Sequence, residues 1–233
     1  MISFFKQIII FLKNPYKYQE ELSIKQKIFI LIRMLIYQAI IFSFLILILA
    51  IILIILKKNG IILNNKASFK NLYDSYGKYT FLLVGIIAPI VEECIFRLPL
   101  SFKKNDIVFM LFVVLGITIY KTYENVVLLP ILVLIVLLLL FCVEKFLKKE
   151  MLNEVKEKYG RYILYFSLII FPLLHITNIE NLSISLFFIY LIFQLPILLL
   201  SMFSTFSRIK LGFVYAVILH SVTNMASFLF YQL

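Results

Sequence analysis

The sequence predicts an all-α, polytopic bundle of transmembrane helices, and three observations support this fold class. First, 63% of the 233 residues are hydrophobic, whereas a soluble domain has about 45–50% apolar residues. Second, these residues form long uninterrupted runs, separated by segments that hold most of the charges. Third, ionisable residues inside those runs are rare, and three of them, Glu92, Glu93 and Arg97, stand together. Runs of about 17–25 apolar residues are long enough to cross a bilayer as helices.

The apolar runs predict about seven spans, within a range of six to eight. We place them at Arg33–Leu56, Tyr79–Pro99, Ile107–Tyr120, Val126–Val143, Tyr162–Ile176, Leu182–Phe203 and Leu211–Phe230. The charged segment 144–161 between the fourth and fifth spans predicts a solvated amphipathic helix. No inverted repeat and no pair of broken helices is recognisable in the pattern.

Two parts of the chain differ in character. Residues 1–32 mix Phe, Ile and Leu with Lys and predict a basic, amphipathic segment that lies in the membrane interface. Residues 33–233 form the membrane-embedded domain. The Lys and Arg residues concentrate on the side of the N-terminus, which predicts a cytoplasmic N-terminus. The richness in Lys, Ile and Asn is typical of a bacterial protein, so the expected location is the bacterial cytoplasmic membrane.

The net charge of +11 points to the lipid bilayer as a partner and not to nucleic acid. The basic residues flank the apolar runs, as they do next to anionic lipid, and no separate basic patch with aromatic residues stands outside those runs. Cys94 and Cys142 lie in apolar segments, so the sequence indicates no disulfide framework.

The segment Ala88–Leu98 places two carboxylates and a guanidinium within an apolar run. An ionisable group at the bilayer centre costs about 2.5–3.5 kcal/mol on insertion scales and is therefore a candidate for a functional site. On a helix, Glu93 and Arg97 are one turn apart and can pair, which would leave Glu92 free for chemistry. Gly85 and Pro89 on the same side would permit close helix approach or a kink.

Both histidines of the chain also lie in apolar segments. His175 follows Phe171 by one turn, and His220 precedes Asn224 by one turn. Each pair would face the interior of a bundle that already holds carboxylates, and this combination favours a site over two unrelated buried histidines.

In order along the chain, Glu92-Glu93-x-x-x-Arg97, Phe171-x-x-x-His175 and His220-x-x-x-Asn224 resemble the three motifs of the CPBP family of intramembrane proteases. This family is also called the Abi or type II CAAX prenyl endopeptidase family. The resemblance covers about residues 81–230, and it departs at Leu98, where many members have glycine.

The resemblance implies an intramembrane endopeptidase with its active site inside the bilayer. Its catalytic residues would be Glu92, Glu93, Arg97, His175, His220 and Asn224. Glu92 and His175 would activate a water, and His220 and Asn224 would hold the oxyanion. Carboxylates serve as general bases, and amide and imidazole N–H groups are the donors that an oxyanion hole needs.

A zinc site built from Glu92, His175 and His220 is the alternative mechanism, because His₂Glu is a ligand set of catalytic zinc. The sequence does not decide between Zn²⁺ and no cofactor. The expected depths also fit poorly. In the predicted topology, Glu92 and His175 differ in depth by on the order of 10 Å, unless the fifth segment ends inside the bilayer.

The expected substrate is a membrane-embedded or lipidated (CAAX-type) peptide, or a bacteriocin or pheromone precursor, with self-immunity as a further role that the resemblance implies. Two alternatives from other classes remain. One is a catalytically silent immunity or scaffold protein, and the other is a small cation-coupled transporter.

Overall fold

A computed structural model describes residues 2–16, 21–61, 69–125, 128–179 and 183–232. Helices account for nearly all of them, which confirms the all-α class. They are α1 (Ile2–Lys13), α2 (Ile24–Lys58), α3 (Phe69–Tyr76), α4 (Thr80–Leu82), a π-helical turn (Leu83–Ile87), α5 (Ala88–Phe96), α6 (Lys104–Thr122), α7 (Leu128–Phe146), α8 (Lys149–His175), α9 (Phe187–Phe193), α10 (Leu195–Lys210) and α11 (Phe213–Gln232).

Five described helical segments are long and apolar enough to cross a membrane: Ile24–Lys58, Leu72–Phe96, Lys104–Thr122, Leu128–Phe146 and Lys149–Asn178. The pair Ile184–Phe193 and Leu195–Lys210, bent by 46°, would make a sixth span. The expected count of seven is reached only when the shorter apolar helix Phe213–Leu229 is included. The expected starts of the fourth and sixth spans, at Val126 and Leu182, lie outside the described residues.

The sixth segment differs from the straight span that the sequence predicts. It breaks at Gln194, whose backbone N–H bonds to the carbonyls of Tyr190 and Leu191. Pro196 stands in the first turn of the next helix, where its missing N–H costs no helical bond. The chain thus starts a new helix at this point in place of continuing the old one.

Two helices begin earlier than their apolar runs. Ser23 and Gln26 form a reciprocal capping box that starts α2 at Ile24, so the expected domain border at residue 33 lies inside this helix. Helix α8 begins at Lys149 and continues into the apolar half without a break. The predicted solvated helix and the predicted fifth span are therefore largely one helix.

Helix α10 lies at the centre of the bundle and packs against α2, α8 and α11. Seven of its residues are buried: Leu200, Ser201, Phe203, Ser204, Thr205, Phe206 and Ser207. Small hydroxyl side chains of this kind let neighbouring helices approach closely. The same core includes Ile8 and Phe11 of α1, each only 3% exposed, so the N-terminal helix packs against the bundle.

Helix α11 approaches the π-helical turn at Gly85. A Cβ atom at this position would lie 2.7 Å from Cγ of Met225. The glycine is therefore required for the close packing of α11 beside the segment that leads into α5, as the sequence suggests.

We expect Gly85→Val to destabilise the protein by about 1–3 kcal/mol, because the added side chain overpacks the contact with Met225. The melting temperature in detergent would measure the loss. Gly116→Val on α6 is the matched control, since a Cβ there meets no atom within 4 Å. Equal destabilisation by both variants would contradict the packing role of Gly85.

Candidate functional site

The site forms where α5 meets α8, α10 and α11. At its centre, Glu93 and Arg97 form a buried ion pair. Both side chains are 0% exposed, and Arg97 Nη1 lies 3.6 Å from Glu93 Oε1. The two residues are one turn apart on the chain, so the pairing that the spacing predicts is present. A buried charge pair needs further hydrogen bonds to offset its desolvation. The neighbouring helices supply some of them, whereas Arg97 Nε and Nη1 and Glu93 Oε2 have no hydrogen-bond partner among the described residues.

Two other helices hold the Arg97 guanidinium in place. Its Nη2 donates to Oγ of Ser201 on α10 at 2.9 Å, and Ser201 in turn donates to the carbonyl of Leu168 on α8 at 3.3 Å. The ring of Phe171 on α8 lies beneath the guanidinium, 3.9 Å from Cζ to the ring centroid. Hydrogen bonding and a cation–π contact thus fix the arginine from two sides.

His220 on α11 joins both carboxylates. Its Nδ1 lies 2.9 Å from Glu93 Oε1, and its Nε2 lies 3.5 Å from Glu92 Oε2. Because Glu93 is paired with Arg97 and accepts hydrogen bonds, we assign the proton at Nδ1 to the histidine. Glu93 therefore orients the ring, and Nε2 is the nitrogen that faces Glu92.

The two glutamates lie in different surroundings. Glu93 is fully buried, whereas 26% of the Glu92 side chain is exposed. Glu93 is thus a fixed part of the packing, and Glu92 is the carboxylate that a molecule from outside the protein can reach. This division agrees with the expectation that Glu92 stays free while Arg97 holds its neighbour.

His175 is the last residue of α8. Its Nδ1 lies 2.8 Å from the carbonyl oxygen of Phe171 and donates to it, which leaves Nε2 as the acceptor in the neutral ring. The Phe171 ring contacts both histidines, with centroids 4.6 Å from His175 and 5.9 Å from His220. In the described part of the chain, no hydrogen bond or ion pair joins His175 to Glu92.

Helix α8 contacts the end of α5 directly. The Ser167 hydroxyl donates to the carbonyl of Phe96 at 2.7 Å. The difference in depth between Glu92 and His175 stays a prediction.

Asn224 lies one turn after His220 and contacts the backbone of the π-helical turn. Its amide nitrogen donates to the carbonyl of Val84 at 3.1 Å. In a π-helical turn, each carbonyl bonds to the N–H group five residues later, and the Leu83 carbonyl accepts from the Ala88 N–H in this way. The Val84 carbonyl would accept from residue 89, but Pro89 has no N–H group. Asn224 therefore satisfies a carbonyl that the proline leaves without its helical partner, and its second amide hydrogen remains for other use.

The predicted zinc ligands are only partly brought together. Glu92 Oε2 and His220 Nε2 are 3.5 Å apart, a separation that two ligands of one zinc ion can have. In the described part of the chain, no hydrogen bond or ion pair joins His175 to either of them. The zinc site therefore stays a prediction, and we derive the chemistry from protein groups alone.

Sequence reasoning overlooked two polar residues of α10. Ser201 bonds Arg97, as described above. Arg208 donates to the carbonyls of Arg97 and Leu98, at 3.1 and 3.2 Å, and pairs with Asp106 at 2.9 Å. It thereby holds the end of the helix that carries the glutamates. The run of hydroxyl residues that ends at Arg208 within an apolar segment is the signal that could have revealed them.

Comparisons with protein-family models, with curated proteins and with solved structures found no significant match to this chain.

We expect Arg97→Gln to destabilise the protein by about 3–5 kcal/mol, because it leaves the buried Glu93 without its countercharge. Unfolding in mixed detergents would measure the change. The control is Glu93→Gln/Arg97→Gln, which removes both charges and should recover part of the loss. The single variant Glu93→Gln completes the cycle. If the losses of stability in Arg97→Gln and Glu93→Gln simply add in the double variant, the pairing does not stabilise this region.

We expect Asn224→Ala to cost about 1–3 kcal/mol, because Val84 loses the donor to its buried carbonyl. In a Pro89→Ala background the restored N–H can take the place of Asn224, so the cost of the same change should fall. Unfolding of the four proteins of this cycle tests it. An unchanged cost would show that Asn224 does not compensate for the proline.

Proposed function

We propose that this protein is an intramembrane endopeptidase that hydrolyses a peptide bond in a membrane-embedded or lipidated peptide. The observation that carries the proposal is the pairing of a reachable carboxylate, Glu92, with the Nε2 atom of His220. A second, buried carboxylate orients the histidine ring. This arrangement supplies a base, a donor and a fixed geometry, which are the parts that general acid–base hydrolysis requires.

In the proposed reaction, Glu92 accepts a proton from a water molecule as the water oxygen bonds to the scissile carbonyl carbon. The free Nε2 of His175 would accept the second hydrogen bond of the water and orient it. Breaking the C–N bond then transfers the proton from Glu92 to the leaving amine. Water, two product termini and the original Glu92 carboxylate balance the cycle.

The negative charge that develops on the carbonyl oxygen needs donors. His220 would donate from Nε2 when a proton is bound there, while Glu93 holds the ring through Nδ1. The second amide hydrogen of Asn224 would be the other donor. Groups held in place before the reaction stabilise an oxyanion more than mobile ones do, and the Glu93–Arg97 pair would keep His220 from turning.

The resemblance of the motifs to those of the CPBP family supports the same reaction class and extends it to lipidated CAAX-type or bacteriocin-type peptides. The catalytically silent immunity or scaffold role is the competing proposal. A specific observation also bears on the cation-coupled transporter: the broken helix at Gln194 is a feature of transporters, which carry broken helices in matching halves. Within the described residues only one such pair occurs.

We expect Glu92→Gln to abolish cleavage of a quenched lipidated peptide panel, with a loss of at least about a thousandfold in rate, because the amide cannot accept the proton. His175→Ala should reduce the rate by about a hundredfold. A strong chelator should leave the wild-type rate unchanged, whereas inhibition that zinc reverses would establish the metal mechanism.

Cys142→Ser serves as the matched control for this experiment, since Cys142 is exposed and belongs to α7, away from the site. Expression and melting temperature of each variant must equal those of the wild type. If Glu92→Gln still cleaved the panel, the proposed base would be wrong. If it lost cleavage but still protected cells in an immunity assay, protection would not depend on proteolysis.

A further inference from the structure

A cavity of about 750 Å³ opens at the end of the bundle where α1 meets α8. Four cations line it: Lys13, Lys156, Lys158 and Arg161. Glu157 is the one acidic residue in the lining, so the charges sum to about +3. The volume lies within the range of about 300–1,000 Å³ that is usual for ligand pockets.

Among the described residues, the positive charges of this cavity have few acidic partners. Within the described part of the chain, none of the four cations forms a salt bridge. Three of them lie over tyrosine rings: Lys156 over Tyr16, at 5.1 Å, and Lys158 and Arg161 over Tyr159 and Tyr162. Such contacts hold the cations near aromatic faces without removing their charge. Clustered cations that lack carboxylate partners favour the binding of an anion.

The position of the cavity indicates which anion. Helix α8 changes at residues 161 and 162 from a charged half to an apolar half, and both residues line the cavity. Tyr16 and Tyr162 provide the aromatic side chains that are typical of a membrane–water interface. Cations at such a border between charged and apolar residues are suited to pair with lipid phosphates.

We propose that this cavity binds the phosphate of an anionic phospholipid headgroup. In the predicted orientation of the chain, the lipid would come from the cytoplasmic leaflet. The basic residues would pair with the phosphate, and the amides of Asn14 and Asn153, which also line the cavity, would donate to headgroup hydroxyls. The acyl chains would lie along the apolar half of α8.

The wall of the cavity connects it with the turn that follows α5. The Tyr16 hydroxyl lies 3.3 Å from the carbonyl of Leu100 and donates to it, and the Tyr16 ring packs edge-on against Phe102, at 5.6 Å. Gly160 permits this position, because a Cβ there would lie 2.8 Å from the Tyr16 ring. A bound headgroup would thus stabilise the segment just beyond the Glu93–Arg97 pair.

The test measures binding of phosphatidylglycerol and phosphatidylcholine to the full chain in detergent, by native mass spectrometry and by thermal-shift titration. We expect the wild type to bind phosphatidylglycerol at least about tenfold more tightly than phosphatidylcholine. Lys13→Gln/Arg161→Gln should weaken that binding by about thirtyfold, as the loss of two interfacial cations implies.

Matched variants make the result specific. Lys57→Gln/Lys58→Gln also removes two positive charges, but from the last turn of α2, which does not line the cavity. This variant should bind phosphatidylglycerol like the wild type. Lys13→Arg/Arg161→Lys keeps the charges of the cavity and should also bind like the wild type. If the cavity double variant does not fold, Lys158→Gln alone should weaken binding by about fivefold.

Three results would overturn the proposal. One is equal binding of the two lipids by the wild type. Another is a loss in the Lys57/Lys58 control as large as in the cavity variant. The third is binding of soluble glycerol phosphate as tight as that of phosphatidylglycerol, which would assign the cavity to a soluble phosphate compound.

Discussion

The buried pair of Glu93 and Arg97 is the interaction on which the rest of the site depends. Two charges without exposure are tolerated only where other groups share their hydrogen bonds. Here α8 contributes a ring and a backbone carbonyl, α10 contributes a hydroxyl, and α11 contributes an imidazole. One ion pair is therefore in contact with side chains of three other helices, and these contacts join the side chains of the site.

The same pair separates a fixed carboxylate from an accessible one. Glu93 is buried and contacts Arg97 and His220, whereas the side chain of the adjacent Glu92 is partly exposed. Two identical side chains one residue apart thus acquire different roles, because a helix turns them by about 100° toward different neighbours. Arg208 also fixes the end of α5, because it donates to the carbonyls of Arg97 and Leu98.

Sequence reasoning reached the helical fold and the Glu93–Arg97 contact, since hydropathy and the spacing of four residues are local properties. It also selected His220, but not the contact of both its ring nitrogens with glutamates, which depends on the rotation of α11 about its axis. The early start of α2 was missed because its first turn, Ile24-Lys25-Gln26-Lys27, is mostly polar. The break at Gln194 was missed because apolar residues continue on both sides of it. The role of Arg208 could not be predicted from local sequence, since its partners are more than a hundred positions away along the chain.

The order of the contacts along the chain has a consequence for biogenesis. Glu93 and Arg97 share one helix, so α5 can enter the bilayer with these charges already paired, which lowers the cost of inserting them. Its remaining partner, His220, follows 127 positions after Glu93, on the last helix. A nascent chain that has not yet added α11 therefore has no complete site. Under the proposed function, a newly made chain would become active only after α11 has joined the bundle.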